Sequence, residues 1–427
     1  MNLETHLDST STGRVVPIRR PQGARKDSRS ARRPIPILLA VRELSYGGIQ
    51  RDVTQIATHL DFSRFEPHVA TYQTDGLRVE ELSHAGIPVL HLPVHSLKSP
   101  TAISAAIEMR RYIREHGIRL VHAYDASAVF IAPVARALRV PAVLSSTLGN
   151  RNLLDLRTRR QVRWTDKIVD TIVVNCEAMR CHMVDDEHVA GDRIELCYNG
   201  VDTTRFYPAA APKPARIAHA SFVIGAVCVL RPEKALGLLQ EAFARVRHRK
   251  PGMKLVIVGS GPELTKLEAN SRLLGLEDDC VFVPATRSIP EFLRSFDLFV
   301  SCSVSEAFSN TILEAMACGC GVVGSRVGGT PELIGNDERG LLFHSGDAGD
   351  LAAKLTTLIE NESLRREFGT CAVEFARKNL TIEIAAARMA EIYERALRRK
   401  GVPLNLSIRA ADGSLQDTDP ACLTKVP

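Results

Sequence analysis

The sequence has no run of about 18 or more apolar residues, the length that a membrane-spanning helix requires. Its polar, basic N-terminus has no apolar segment, so we expect no secretory signal and a protein of the cytosol. The ten cysteines include no C-x-x-C pair, and the closest two, Cys318 and Cys320, are spaced more tightly than zinc ligands usually are. Because others lie in apolar runs, as Cys228 does, we interpret them as reduced core thiols, which fits the cytosol.

The predicted folded part also lacks a large net charge of either sign. The formal net charge is +6, and residues 1–33 hold eight Lys or Arg against three acidic residues, so the remaining chain is close to neutral. We therefore predict no nucleic-acid binding. Residues 1–33, which are rich in Ser, Arg, Pro and Gly, are predicted to be a disordered tail, either simply solvated or a weak tether to an anionic membrane. Residues 401–427 are also predicted to be disordered.

Short apolar runs alternate with helical patterns in two successive sets. The first set predicts strands at 35–41, 66–72, 86–92, 120–124, 141–146 and 171–175, with helices near 49–60 and 101–116. The second set predicts strands at 222–230, 254–261, 280–284, 298–303 and 321–325, with helices near 234–248, 289–295, 310–318, 347–359, 363–377 and 382–399. Each set is typical of a parallel sheet covered by helices on both faces.

The two sets predict an α/β protein with two facing Rossmann-like, doubly wound domains. Ligands bind at the carboxyl ends of the strands in such sheets, so we expect an interdomain cleft. The predicted domains are residues 34–205 and 206–400, and the Pro-bearing segment 203–220 is the predicted linker. The last helix, 382–399, is a candidate to pack back on the first domain.

The densest signal lies at 301–334, where a predicted strand runs into a loop and a helix opens near Ser309 or Asn310. Both are good helix-capping residues, and the amides of a helix start suit a phosphate, although capping alone is the plainer interpretation. Glu306 precedes this helix. Glu314 lies about one turn inside it, in an apolar stretch where an unpaired carboxylate is costly. The two carboxylates are therefore candidates to face one site.

The segment EAFSNTILEAMACGCGVV (306–323), followed by GGTPE (328–332), resembles the E-x7-E motif of retaining glycosyltransferases of family 4, which have the GT-B fold. Ala307 and Gly321 replace the Gly and Pro that are usual there, and neither change removes a functional side chain. Further similarities in the family's order are YGGIQR (46–51), YNGVD (198–202), VLRPEK (229–234) and GSGPE (259–263). The resemblance covers about residues 35–399.

The resemblance implies a nucleotide-sugar site in a C-terminal donor domain, with an N-terminal acceptor domain. Lys234 is implied to hold the donor diphosphate and to neutralise the departing nucleotide. Glu306 is implied to contact hydroxyls of the donor sugar, and Glu314 to bind the ribose. The other implied donor-binding positions are Gly47, Gly48, Gly259, Gly261, Phe308, Ser309 and Asn310. No metal and no other cofactor is implied, and no D-x-D element follows a predicted strand.

Two departures affect the implied catalytic residues. The family places an Arg five residues before the Lys, where this chain has Val229. Arg231 either reaches the same phosphate from a shifted position or is a surface residue. The family's H-x-H pattern is reduced to His122 and Tyr124, so His122 is either a contact of the donor sugar or a structural residue. Tyr124 is a poor base near neutral pH, but the leaving phosphate itself can take the acceptor's proton.

The stretch RNLLDLRTRRQVRW (151–164) interleaves five arginines with Leu, Val and Trp. If it is helical, it is either an interfacial helix on an anionic membrane or a solvated, charged face. A membrane-linked lipid acceptor is consistent with both this stretch and the basic tail.

The resemblance implies transfer of a hexose-type sugar, with retained configuration, from a UDP- or GDP-sugar to a glycan, lipid-linked or small-molecule acceptor, in polysaccharide or glycoconjugate synthesis. Two alternatives stay open. One is a catalytically silent homologue that binds a nucleotide sugar as a regulatory or partner subunit, which Val229 and Tyr124 favour. The other is a sugar-nucleotide epimerase of similar fold, which the E-x7-E match opposes.

Overall fold

The structure is a computed structural model, and it describes residues 33–45, 47–74, 76–210 and 212–404. The predicted tails therefore lie outside the described residues, apart from Arg33 and 401–404. By its contacts the chain divides into two compact units. The described residues of the first unit are those up to Ser146, Leu156–Ile172 and those from Ala390 onwards; those of the second lie in Thr147–Asp155 and Val173–Met389.

The first sheet has seven strands, which are β1 (Ile35–Val41), β2 (Phe65–Thr71), β3 (Val89–His91), β4 (Leu120–Tyr124), β5 (Ala142–Thr147), β6 (Thr171–Val174) and β7 (Ile194–Leu196). Their order is β3-β2-β1-β4-β5-β6-β7, and β1 pairs in parallel with both β2 and β4. Ile37, Leu39 and Val121 are fully buried, as continuous apolar runs are in a sheet covered on both faces.

Helices accompany these strands in the described residues: α1 (Gly48–His59), α2 (Leu77–His84), α3 (Pro100–His116), α4 (Ala128–Ala137), α5 (Leu156–Ile168) and α6 (Glu177–Asp185). Local chemistry sets the ends of α3. Ser99 accepts a hydrogen bond from the Thr101 amide, Pro100 lies in the first turn, and Gly117 ends the helix with a φ of 62°. Nowhere in the part of the chain that the structure describes is a helix both long and apolar enough to cross a membrane.

The second sheet is fully parallel, with strands β8 (Phe222–Val227), β9 (Met253–Val258), β10 (Cys280–Val283), β11 (Leu298–Ser301), β12 (Gly321–Ser325) and β13 (Leu341–Phe343) in the order β10-β9-β8-β11-β12-β13. The helices that follow α6 along the chain are α7 (Leu236–Val246), α8 (Leu264–Leu273), α9 (Ile289–Ser295), α10 (Asn310–Ala317), α11 (Thr330–Ile334), α12 (Ala348–Glu360), α13 (Glu362–Asn379) and α14 (Ile382–Arg399), and α14 passes from the second unit into the first at Ala390.

The connections of β8 and β11 diverge. From β8 the chain passes through α7 and α8 to β9 and β10 on one side, and α9 then returns it to β11 on the other side of β8. Adjacent parallel strands whose connections diverge leave a crevice at their carboxyl ends, and ligands bind there. The second sheet therefore places its candidate ligand crevice at the ends of β8 and β11.

The predicted doubly wound pattern is confirmed, and β1, β4, β12 and α14 match their predicted bounds. Strand β8 is shorter than predicted and ends at Val227. The reason is that the Leu230 amide donates to the Ser260 carbonyl at 3.0 Å within a loop, although Leu230 is fully buried. The pattern missed α2, α4, α6, α8, α11, β7 and β13. All of these have ten residues or fewer, which gives few turns or alternations for a clear period, although the equally short α9 and α10 were predicted.

Replacing Gly225 tests the packing that holds β8 in place. A Cβ added at Gly225 would lie 2.1 Å from the ring of Phe296, a buried residue just after α9. Gly225→Ala is therefore expected to lower the free energy of unfolding by about 2 kcal/mol or more. In the control Gly191→Ala, the new Cβ meets nothing within 4 Å, and the expected change is within about 0.5 kcal/mol. Urea unfolding followed by circular dichroism measures both, and equal effects would contradict the packing argument.

Candidate functional site

The candidate site lies in the second unit, where the loops after β8 and β11 meet. Lys234 ends the short 3-10 turn Pro232–Lys234 that follows β8, and Glu306 lies in the loop between β11 and α10. Nζ of Lys234 donates to Oε2 of Glu306 at 2.6 Å, and the Ser303 hydroxyl donates to the same oxygen at 3.3 Å. The sequence-predicted lysine and first glutamate therefore converge at the crevice of the second sheet.

The ion pair of Lys234 and Glu306 is largely shielded from water. Their side chains are 22% and 16% exposed, and with Cys228, Ser303 and Thr311 they line one pocket. Burial disfavours the charge on Lys234, but the adjacent Glu306 carboxylate outweighs it and holds the pKa of Lys234 above its usual value. The site therefore keeps a fixed positive charge in a partly desolvated pocket at neutral pH.

Hydrogen bonds to the backbone of the turn after β8 fix its distance from the loop after β11. The Val304 amide donates to the Glu233 carbonyl at 2.8 Å. The buried Cys302 thiol donates to the Lys234 carbonyl at 3.3 Å. Ala235, next along, has a φ of 47°, a left-handed conformation that reverses the chain into α7. Sequence reasoning missed the role of Cys302, because a buried cysteine at a strand end gives no signal of what its thiol contacts.

A turn that contains two glycines packs against the backbone of Glu306 and Ala307. The Gly329 amide donates to the Ala307 carbonyl at 2.6 Å. Gly328 has a φ of 50°, and a Cβ built on it would lie 1.8 Å from the Glu306 carbonyl oxygen. Only glycine combines this conformation with this close approach. The GGTPE segment thus holds the Glu306 loop in place.

The loop continues into α10, whose first residues pack against the YNGVD segment. The Ser309 hydroxyl accepts from the Ile312 amide at 3.4 Å, so Ser309 caps the helix. The Asn310 carboxamide accepts from Asn199 at 3.0 Å, and the ring of buried Phe308 lies 5.3 Å from that of Tyr198. The amides at the start of α10 are thereby held near Glu306.

Glu314 is only 3% exposed and lies one turn inside α10. This burial agrees with the apolar setting read from the sequence. Its predicted contact with a ribose stays a prediction.

Glu332, at the end of the GGTPE segment, supports the site by capping another helix. Its carboxylate accepts from the amides of Glu177 and Ala178, at 2.9 and 3.0 Å, at the start of α6. It also accepts from the Tyr198 hydroxyl at 2.9 Å, the residue that packs on Phe308. Burial and the adjacent Glu332 carboxylate both raise the pKa of Tyr198, which stays protonated as the donor. The sequence marks Glu332 as part of a motif but does not show that α6 is its partner.

Gly259 and Gly261 let the turn after β9 approach the loop after β8. A Cβ at Gly259 would lie 1.8 Å from the Cys228 carbonyl oxygen, and one at Gly261 would lie 2.4 Å from that of Leu230. These two glycines are thus required by the protein's own backbone. Whether they also contact a donor stays a prediction, as it does for Gly47 and Gly48 at the start of α1.

Arg231 is not drawn into the pocket with Lys234. Its side chain is 60% exposed, and its guanidinium lies 4.0 Å from the Glu233 carboxylate. This placement favours the alternative of a surface residue, because the side chain is solvated and directed to a neighbour on its own turn.

His122 is a fully buried residue of β4. Its ring nitrogens are hydrogen-bonded to the Tyr393 and Ser146 hydroxyls, each at 2.8 Å. Burial lowers the pKa of His122 to about 3, so the ring is neutral. This placement favours the structural alternative for His122, and its contact with a donor sugar stays a prediction.

The two doubly wound sheets, and a lysine paired with a glutamate where the connections of one sheet diverge, define a GT-B type α/β protein. Residues 210–374 match the family described as glycosyl transferases group 1. Residues 46–205 match glycosyltransferase family 4. The chain therefore belongs to the family 4 glycosyltransferases.

Several curated relatives resemble this chain over part of its length. N-acetyl-alpha-D-glucosaminyl L-malate synthase of Bacillus anthracis is 29% identical over 48% of this chain and 54% of the relative. A D-inositol 3-phosphate glycosyltransferase of Catenulispora acidiphila is 30% identical over 54% and 58%. The chain thus spans just over half the length of these two relatives. A GDP-mannose-dependent phosphatidylinositol monomannoside mannosyltransferase of Mycolicibacterium smegmatis is 28% identical over 73% of this chain and 85% of the relative.

Solved structures share the fold. Anabaena HepE in complex with UDP matches with a TM-score of 0.72 at 21% identity, over 84% of this chain and all of HepE. Its complex with UDP-glucose matches with a TM-score of 0.74 at 22% identity, over the same shares of the two chains. A glycosyltransferase of Rickettsia africae matches with a TM-score of 0.75 at 20% identity, over 86% of this chain and 99% of the other. At these identities the likeness establishes the GT-B architecture.

Gly328→Ala tests the support of Glu306. The new Cβ would collide with the Glu306 carbonyl in a strained conformation, so the free energy of unfolding is expected to fall by about 3 kcal/mol. The matched control is Gly346→Ala, because Gly346 also has a positive φ, of 84°, but a Cβ there meets nothing within 4 Å. The control is expected to lose only about 1 kcal/mol. Urea unfolding compares the two, and equal losses would show that the contact with Glu306 is unimportant.

His122→Asn tests the neutral, buried state of the imidazole. The folded pKa of about 3 lies below the ordinary 6.5, so protonation favours the unfolded chain between these values. The difference in free energy of unfolding between wild type and His122→Asn is therefore fully present above pH 6.5 and is lost as the pH falls. The loss is expected to approach about 1.4 kcal/mol per pH unit. Urea unfolding of both proteins between pH 7.5 and 5 measures the difference, and a constant difference would contradict a depressed pKa.

Proposed function

We propose that this protein transfers a hexose-type sugar, with retained anomeric configuration, from a UDP- or GDP-sugar to a glycan, lipid-linked or small-molecule acceptor in polysaccharide or glycoconjugate synthesis. The observation that carries the proposal is the convergence of Lys234 and Glu306, 2.6 Å apart, at the crevice of the second sheet. A charged ammonium and the start of α10 together suit a diphosphate.

The chemistry follows from what each group supplies. When the bond between the sugar carbon and the diphosphate oxygen breaks, negative charge develops on the nucleotide, and the fixed Lys234 ammonium stabilises it. The acceptor hydroxyl forms the new bond, and its proton passes to the leaving phosphate. Glu306 orients the donor sugar through its hydroxyls. Because Lys234 provides the positive charge, we propose that no metal or other cofactor is needed.

The relatives support the proposed donor class. The Mycolicibacterium enzyme is named for its dependence on GDP-mannose, and the Anabaena protein was solved with UDP and with UDP-glucose. These names favour a nucleoside diphosphate sugar as donor and leave the choice between uridine and guanosine open. The proposed setting is the cytosol, with peripheral contact to an anionic membrane.

One observation favours the silent homologue among the alternatives. Arg231 is solvated and pairs with Glu233, so the second cation that the family uses is not beside Lys234. A protein with Lys234 alone would still bind a nucleoside diphosphate, but it would stabilise the departing charge less.

Lys234→Ala is expected to abolish the rise in melting temperature that the donor nucleotide gives. A thermal-shift screen with UDP, GDP, ADP and their sugars identifies that nucleotide, which at about 100 times its Kd stabilises the fold by about 2.7 kcal/mol. Each variant is compared with itself without nucleotide, because Lys234→Ala also removes the partner of Glu306. The control, Lys266→Ala, removes a lysine that is 78% exposed on α8 and should keep the shift. An unchanged shift in Lys234→Ala would refute the assigned role.

Release of sugar from the same nucleotide sugars, with and without acceptors, separates transfer from silent binding. Wild type is expected to release sugar in the presence of EDTA, and Glu306→Gln to do so about 100-fold more slowly while its nucleotide shift persists. Nucleotide binding without any release after long incubation would favour the silent homologue. Loss of release in EDTA would contradict the proposal of a reaction without metal.

A further inference from the structure

We infer that one exposed face of α5 docks on the surface of an anionic membrane. This docking face consists of Leu156, Arg160, Arg163, Trp164 and Lys167. At 3.6 residues per turn, these side chains fall within about 100° of the helix circumference. The inference deepens the proposed function. It rests on that function in one respect only, which is the suggestion that a lipid-linked acceptor is reached from this membrane surface.

The docking face is exposed, and the opposite face of α5 is not. Leu156 and Trp164 are 74% and 53% exposed, and the three basic residues of the docking face are also exposed. On the other side, Val162 and Thr165 are buried in the first unit. The helix therefore has a fixed orientation that directs Leu156 and Trp164 outwards.

The exposed charge on α5 has one sign. The helix carries five basic residues, and its single acidic residue, Asp166, is buried. A helix that is merely solvated usually mixes both signs along its exposed face. Basic residues next to Trp and Leu are instead typical of a helix that lies in a membrane interface, where the rings and aliphatic chains enter the headgroup region and the cations meet anionic lipids.

A second exposed stripe, on α3, also combines apolar and basic side chains. Ile103 and Ile107 are 67% and 64% exposed, and Arg110 and Arg114 continue the stripe at the spacing i, i+4, i+7 and i+11. Helices α3 and α5 connect β3 to β4 and β5 to β6, which are crossovers in the same direction across the sheet. Right-handed crossovers place both helices on the same side of that sheet, so both stripes belong to one side of it.

Arg151, which the sequence groups with this basic stretch, does not belong to the docking face. It is 2% exposed, and its guanidinium lies 3.5 Å from the Glu187 carboxylate and 2.9 Å from the Thr147 hydroxyl. This buried ion pair is structural. The sequence grouped Arg151 with the exposed arginines of 151–164, and its burial corrects that grouping.

The chain carries its own probe for this contact, because Trp164 is its single tryptophan. Adding vesicles of phosphatidylcholine mixed with phosphatidylglycerol to the full chain is expected to shift the emission of Trp164 to shorter wavelength and to reduce its quenching by acrylamide. Vesicles of phosphatidylcholine alone should change neither. Brominated lipids in the anionic vesicles should quench the emission, because the indole then lies at the level of the upper acyl chains. No donor or acceptor is present, so the result is independent of whether transfer is found.

The decisive variant is Arg160→Glu/Lys167→Glu, which is expected to weaken binding to the anionic vesicles about tenfold or more in a flotation assay. Its control, Arg272→Glu/Lys378→Glu, makes the same change in net charge at two exposed positions of the second unit and should bind nearly as wild type does. Thermal melting of both variants checks that they fold.

Three results would overturn the inference: an unchanged Trp164 emission, equal losses in the two variants, or binding that survives the reversal on α5. Binding that survives the charge reversal would assign the membrane contact to another part of the chain, for example to the basic residues within 1–33. Retention on a soluble polyanion without vesicle binding would assign the face to a different partner.

Discussion

The ion pair between Lys234 and Glu306 is the interaction on which the candidate site depends. A lone ammonium at a position with so little exposure would destabilise the folded protein, since burial disfavours the charged form of lysine. Glu306 compensates by holding the pKa of Lys234 up. The same carboxylate draws the loop after β11 towards the loop after β8. One contact thus keeps Lys234 charged and holds together the loops on the two sides of the crevice that the sheet topology creates.

Glycines permit this closure. The turn after β9 supports the β8 loop through Gly259, and the turn after β12 supports the β11 loop through Gly328. In both places a Cβ would lie 1.8 Å from a backbone oxygen, so the loops approach more closely than any side chain allows. The glycines of these motifs therefore have a sufficient structural reason within the protein. A direct contact with a ligand would add to that reason.

Much of this arrangement can be predicted from the sequence, because it depends on local pattern. Buried parallel strands appear as continuous apolar runs, and residues just after them meet at one edge of the sheet. Lys234 and Glu306 could be placed together for this reason. His122 could not be interpreted in the same way, since its partner Tyr393 is 271 residues away. Arg151 looks like a surface arginine until Glu187 is placed beside it. A polar residue whose partner lies far away along the chain gives no periodic pattern from which that partner could be predicted.

The position of α5 connects the proposed membrane contact to the chemistry. A helix that follows a strand in a doubly wound sheet begins at the carboxyl edge of that sheet, and this is the edge where such sheets bind ligands. Leu156, the first residue of α5, is thus on the side of the carboxyl edge of the first sheet, while Lys167 is about three turns further along. In the proposed membrane contact, a lipid surface against the docking face would therefore come next to this edge at the Leu156 end of the helix.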